Sequence, residues 1–119
     1  MNTPEKLSLA GFILEVGGRV RGRTAIATEI ELRDPLKAIL DRIRHSPATV
    51  EHKLLLRVLY ALTKPTADED FSRAEVASLS LSVSQLLYAT VQDVTSGRYR
   101  RADIKAAVFI YTISPPQGT

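Results

Sequence analysis

Most of the apolar positions along the chain recur at helical spacing. Leu36, Ile39, Leu40 and Ile43 fall at i, i+3, i+4 and i+7 behind Asp34-Pro35, a helix cap followed by a proline suited to the first turn. Ser46-Pro47 breaks that pattern and opens a second helix over 47–63, with Val50, Leu54, Leu55, Val58, Ala61 and Leu62 inward, until Lys64-Pro65 stops it. After a polar, acidic loop over 66–70, Ser72-Arg73-Ala74-Glu75 reads as a capping box, with Phe71 placed to staple onto Val76. Val76, Leu79, Val83, Leu87, Val91 and Val94 continue a helical stripe to Gly97. Ser78 to Ser84 also alternates strictly, which is a strand pattern, but the cap and the later spacing favour helix. Residues 101–112 predict a last helix with Ile104, Ala107, Val108 and Tyr111 inward, although 108–113 also suits a strand.

The first third of the chain leaves two readings open. Thr3-Pro4-Glu5 resembles a helix start and Gly17-Gly18 a stop, yet Phe12, Ile13, Leu14 and Val16 fit a strand equally well. Over 19–32, Val20, Thr24, Ile26, Thr28, Ile30 and Leu32 share one parity, while Arg19, Arg21, Arg23, Glu29 and Glu31 share the other. Period two predicts a half-buried strand there. If 9–15 is also extended, a loop at Val16-Gly17-Gly18 sets Glu15 opposite Arg19 and Leu14 opposite Val20. The alternative is a first helix followed by a lone strand.

These elements predict a mainly α fold, a small bundle of about four helices with an N-terminal extended arm or β-hairpin, α+β remaining open. Residues 1–113 read as a single helical domain and 114–119 as a flexible tail. A chain of 119 residues with 45% apolar and 24% charged content suits one such domain. It has no cysteine, which excludes disulfides and thiolate chemistry. No apolar run approaches the roughly 20 residues of a membrane span. No signal-peptide layout opens the chain, and a cytoplasmic protein without membrane contact is expected.

Charge adds the first functional hint. The net charge is only +3, but 11 of the 16 basic residues are Arg, whose planar fork suits phosphate and carboxylate. Arg19, Arg21 and Arg23 would share one face of an extended segment, and Arg98, Arg100 and Arg101 surround Tyr99 after Gly97. Clustered cations with an aromatic ring between them suit nucleic acid. On the 47–63 helix, Lys53, Arg57, Tyr60 and Lys64 make a further basic stripe. The bland reading sits beside this one: both clusters are solvated turns, Arg19 paired to Glu15 and Arg101 near Asp103, and the stripe is a wet helix face.

A third feature is missing charge. Residues 76–92 contain no Asp, Glu, Lys or Arg. Such a segment is covered on most sides, either as the central helix or as a contact surface, with Leu81 and Tyr88 the candidate protein-interface residues. Glu75-Val76-Ala77 and Val83-Ser84-Gln85 also bear a faint likeness to a helix-turn-helix, but the turn glycine is absent.

Catalysis has no positive signal. His45 and His52 stand on either side of Pro47, and no zinc-protease helix motif, nucleophile elbow or phosphate-cradling glycine loop occurs. No catalytic residue, metal, cofactor or small-molecule substrate is expected. The expectation is a non-catalytic accessory subunit or binding module of a larger assembly, contacting nucleic acid through its Arg clusters. The alternatives are a pure protein–protein interaction protein, such as an immunity, chaperone or adaptor factor, or a small helix-turn-helix regulator. A protein partner or a homo-oligomer is implied by either of the first two.

Overall fold

The computed structural model describes residues 6–22, 27–46, 49–64 and 70–113. The fold is mainly α, with seven helices and two very short strands among the described residues. In chain order these are β1 (Lys6–Leu7), α1 (Leu9–Val20), α2 (Glu29–Arg33), α3 (Pro35–His45), α4 (Val50–Leu62), β2 (Phe71–Ser72), α5 (Arg73–Ser78), α6 (Leu81–Thr95) and α7 (Arg101–Ile113). No helix among them is long and apolar enough to cross a membrane.

The N-terminal extended arm is β1. Its partner is not a neighbouring hairpin strand but β2, antiparallel, with Lys6 opposite Ser72 and Leu7 opposite Phe71. The expected hairpin over 9–32 does not form. Ser8 caps α1 by accepting from the Gly11 N–H at 3.1 Å, and the helix runs through Gly17-Gly18 to Val20. Arg21 leaves the helix as its C-cap, extended at φ −67°, ψ 131°, and Gly22 follows at φ +73°, a backbone conformation that glycine adopts without a Cβ penalty. Leu14 therefore points outward, 71% exposed, and Glu15 meets Arg73 at 3.5 Å rather than Arg19.

The strand expected over 19–32 is also overturned where it is described. Arg19 and Val20 belong to the end of α1, and Thr28 opens α2 with a full capping box to Glu31. Two helix ends in succession had imitated period two. The Ala27 N–H donates to Gln85 Oε1 at 2.9 Å, which pins the connection onto α6. Thr3-Pro4-Glu5, Arg23, Thr24, Ile26, Pro47, the 65–69 stretch and the 114–119 tail lie outside the described residues.

From α3 onward the expected helices form, with two differences. Asp34 caps α3 and Ser72 with Glu75 forms the capping box of α5, but Ser46 only ends α3, and α4 opens at Val50 with Thr49 as its cap rather than at Ser46-Pro47. The helix expected to run on to Gly97 is interrupted at Leu79-Ser80. Leu79 is extended at φ −79°, ψ 139°, and Ser80 caps a new helix through the Val83 N–H. The serine–leucine alternation marks this joint, not a strand.

The core is one cluster threaded by α6. Val83, Leu86 and Leu87 are at most 1% exposed, and α6 packs against α1 and α3. The charge-free stretch thus spans the end of α5, the joint and most of α6, and α6 is the central helix of the bundle. Phe12 of α1 meets Phe71 of β2 with ring centroids 4.9 Å apart, so β2 closes one end of the core. Ile104 and Val108 of α7 complete the core, α7 lying against α4 and α3.

Candidate nucleic-acid interface

The three basic features of the sequence meet different fates. Arg19, from the last turn of α1, turns inward to the α5–α6 joint. Its Nη1 donates to the Val76 carbonyl at 2.6 Å, the Leu79 carbonyl at 2.8 Å and Ser84 Oγ at 3.3 Å. Carbonyls at the end of a helix have no partner within it, and a guanidinium supplies one. Arg19 is therefore engaged within the fold, while Arg21 is exposed at the α1 terminus. The second cluster follows the far end of α6, 15 residues on. That places it about 20 Å from Arg19 along the helix axis.

Within the second cluster the cations are unequally committed. Arg98 pairs with Asp93 at 3.1 Å, donates to the Arg33 carbonyl and lies 5.6 Å from the Tyr99 ring centroid. Tyr99 donates its hydroxyl to Asp34 Oδ1 at 2.7 Å, which ties α3 to the α6–α7 turn. Burial, then the Asp34 carboxylate, push the Tyr99 hydroxyl up to about 12. Arg100 forms a two-pronged pair with Asp103, at 3.1 and 3.2 Å. The hydrogen bonds from Arg100 hold the Asp103 carboxyl below its usual value. Arg101 is exposed and has no ion-pair partner among the described residues.

On α4 the stripe divides as well. Arg57 pairs with Glu75, donates to the Asp70 carbonyl and stands 5.1 Å over the Phe71 ring, locking α4 to β2 and α5. Lys53 and Lys64 are exposed, and Tyr60 is 40% exposed. The pairing acids Glu75 and Asp93 come from other elements or turns, so the residue pattern of the stripe and cluster does not reveal them.

What the fold does bring together is the end of α4 and the start of α7. A groove of about 670 Å³ opens between them, with Lys64 on one side, Arg100 and Arg101 on the other, and Ala61, Val94 and Tyr99 among its walls. No acid lines it among the described residues. A second depression of about 440 Å³ adjoins it, sharing Leu9, Ala61 and Lys64 and adding Arg57, Tyr60, Asp70 and Phe71. Lys64 is the hinge of this surface. Its position at i+11 on the α4 stripe was the available signal, but its meeting with the 98–101 cluster depends on α4–α7 packing.

No protein-family model matches the chain, and no curated protein or solved structure matches it either. Any function must be read from the chain's own residues.

Leu81 and Tyr88 are both half-buried. Tyr88 covers Gly17, where an added Cβ would stand 2.6 Å from its ring, so this side of α6 is occupied by α1. His52 is buried, its Nδ1 hydrogen-bonded to the Ser46 carbonyl; His45 Nδ1 donates to the Asp41 carbonyl at 2.7 Å. Each histidine ties down a helix end.

Proposed function

We propose that this chain is a non-catalytic binding module that holds an anionic macromolecule, nucleic acid foremost, against the α4–α7 end of its bundle. The observation that carries the proposal is the meeting of Lys64 and Arg101, neither with an ion-pair partner among the described residues, beside the Asp103-paired Arg100 around one groove whose described lining holds no acid. Cations converging from separate helices cost folding free energy through mutual repulsion, and an anionic partner relieves it. Arg19 has left the set, because it serves the α5–α6 joint. A helix-turn-helix reading loses its reader: Ser84 is buried and Gln85 is bonded to the Ala27 amide, so neither faces outward to a base.

The test is fluorescence anisotropy with a labelled mixed-sequence oligonucleotide, offered both as a strand and as a duplex. Two phosphate contacts, from Lys64 and Arg101, make affinity fall roughly seven- to twelvefold between about 50 and 200 mM salt. A Lys64→Gln/Arg100→Gln/Arg101→Gln variant should weaken binding and flatten that dependence. Absence of binding to either form at low salt rejects the reading.

A protein partner is the second reading, favoured by Ile30 at 77% and Val50 at 77% exposure. Light scattering that shows self-association, lost on Val50→Ser or Ile30→Ser, would support it.

A further inference from the structure

We propose that the groove receives a single nucleic-acid strand rather than a duplex, with a base stacked on Tyr60. This rests on the anionic-partner reading above and makes it specific. The two adjoining depressions differ in chemistry. Around Lys64, Arg100 and Arg101 the walls are cationic. Around Tyr60 they are mixed: Leu9, Ala61 and Phe71 stand with an Arg57 already paired with Glu75, and Lys64 and Asp70 also line the depression.

A duplex turns only phosphates and groove edges outward and keeps its base faces stacked inside. A protein that reads it uses a protruding helix or ribbon that fits a groove about 12 Å wide. Here the cations line a concave surface instead. A single strand offers phosphates and free base faces side by side, which is what a cationic groove next to an accessible aromatic ring accommodates. Tyr60 is in the last turn of α4 and Lys64 follows just past its C-cap, Thr63, and both line the smaller depression. A base on the ring and the following phosphates on Lys64 and Arg101 are therefore compatible with one short run of strand. Tyr60 is 40% exposed and borders this depression, so its ring is within reach of a base entering there.

The experiment compares an end-labelled oligothymidylate of about 12 nucleotides, within the length such surfaces cover, with a duplex of equal length. The full chain is used, at low salt. The strand should bind at least about tenfold more tightly than the duplex. Tyr60→Ala should lose about tenfold for the strand, the effect of removing one base–aromatic stack, while Tyr60→Phe retains affinity and duplex binding does not change. Circular dichroism shows that the Tyr60 variants keep the fold. Equal or tighter duplex binding, or a Tyr60→Ala variant that binds the strand as well as the parent, overturns the single-strand inference. If Lys64→Gln still weakens binding in that case, the anionic-partner reading stands. No binding of strand or duplex overturns both.

Discussion

The Tyr88 ring lies on the backbone of Gly17, close enough that a methyl group there would stand 2.6 Å from Cε1. Gly17 thus lets α1 pack onto α6 with an aromatic ring against its backbone. Alanine at this helical position would gain about 1 kcal/mol in intrinsic propensity, but overpacking costs about 1–3 kcal/mol. Gly17→Ala should therefore lower stability by about 1 kcal/mol net in urea denaturation. In a Tyr88→Ala background the same change should raise it by about 1 kcal/mol, since the ring is gone. A Gly17→Ala effect identical in both backgrounds would show that the ring is not the obstacle.

Arg19 provides a second test, of stability without binding. Arg19→Met keeps most of the stem but removes the donor to Val76 and Leu79. Hydrogen bonds from a charged group contribute about 1.5–3 kcal/mol each. The variant should lose about 2–3 kcal/mol in urea denaturation, while oligonucleotide affinity at a temperature where it stays folded is unchanged. A large loss of affinity from the folded variant would return Arg19 to the binding surface.

Tyr99 makes stability sensitive to alkali. Its folded-state value, about 12, lies above the ordinary 10.0 because burial and the Asp34 carboxylate disfavour the phenolate. The folded state therefore retains the proton that the unfolded chain releases. That contribution is full below pH 10 and declines as pH rises through about 12. Denaturation midpoints should fall across this window, less steeply in Tyr99→Phe, and the parent should show one late-titrating tyrosine by absorbance.

Acid acts on the opposite side. The Thr28 amide, then Arg42, hold the Glu31 carboxyl below its ordinary 4.5. Its stabilising contribution is present above pH 4.5 and lost as pH falls through the lower folded value. Glu31→Gln should cost about 1 kcal/mol or less at neutral pH, the scale of an exposed ion pair. It should also flatten the acid limb of the stability profile. An acid limb unchanged by the substitution would remove Glu31 from the account.

The legible part of the fold is the part whose causes are local. For α3 and the start of α5, a cap residue and an apolar stripe lie within one or two turns of each other. The misread regions lack that agreement. Positions 19–22 and 27–32 alternate in polarity because one helix ends and another begins, and Gly17-Gly18 stay inside α1, where Tyr88 packs on the bare backbone of Gly17. The break at Leu79-Ser80 is secured by a guanidinium 60 positions away. The candidate site follows the same rule. The sequence shows which stretches are basic, but Glu75 pairing with Arg57 and Asp93 with Arg98 subtract charge that spacing alone leaves in place. Even the short-range acid chose differently: Asp103 reaches back to Arg100, the residue three before it, rather than to Arg101 at the start of α7.

The pairing of β1 with β2, and the reach of Arg19 to Leu79, have a consequence for biosynthesis. During translation α1 emerges with Phe12 and Val16 uncovered, and their shelter arrives only once Phe71 and the α6 segment have left the ribosome. Full burial of α1 therefore has to follow synthesis of those later segments. Release of a truncated product ending before α6 would leave an adhesive helix with nothing to fold onto.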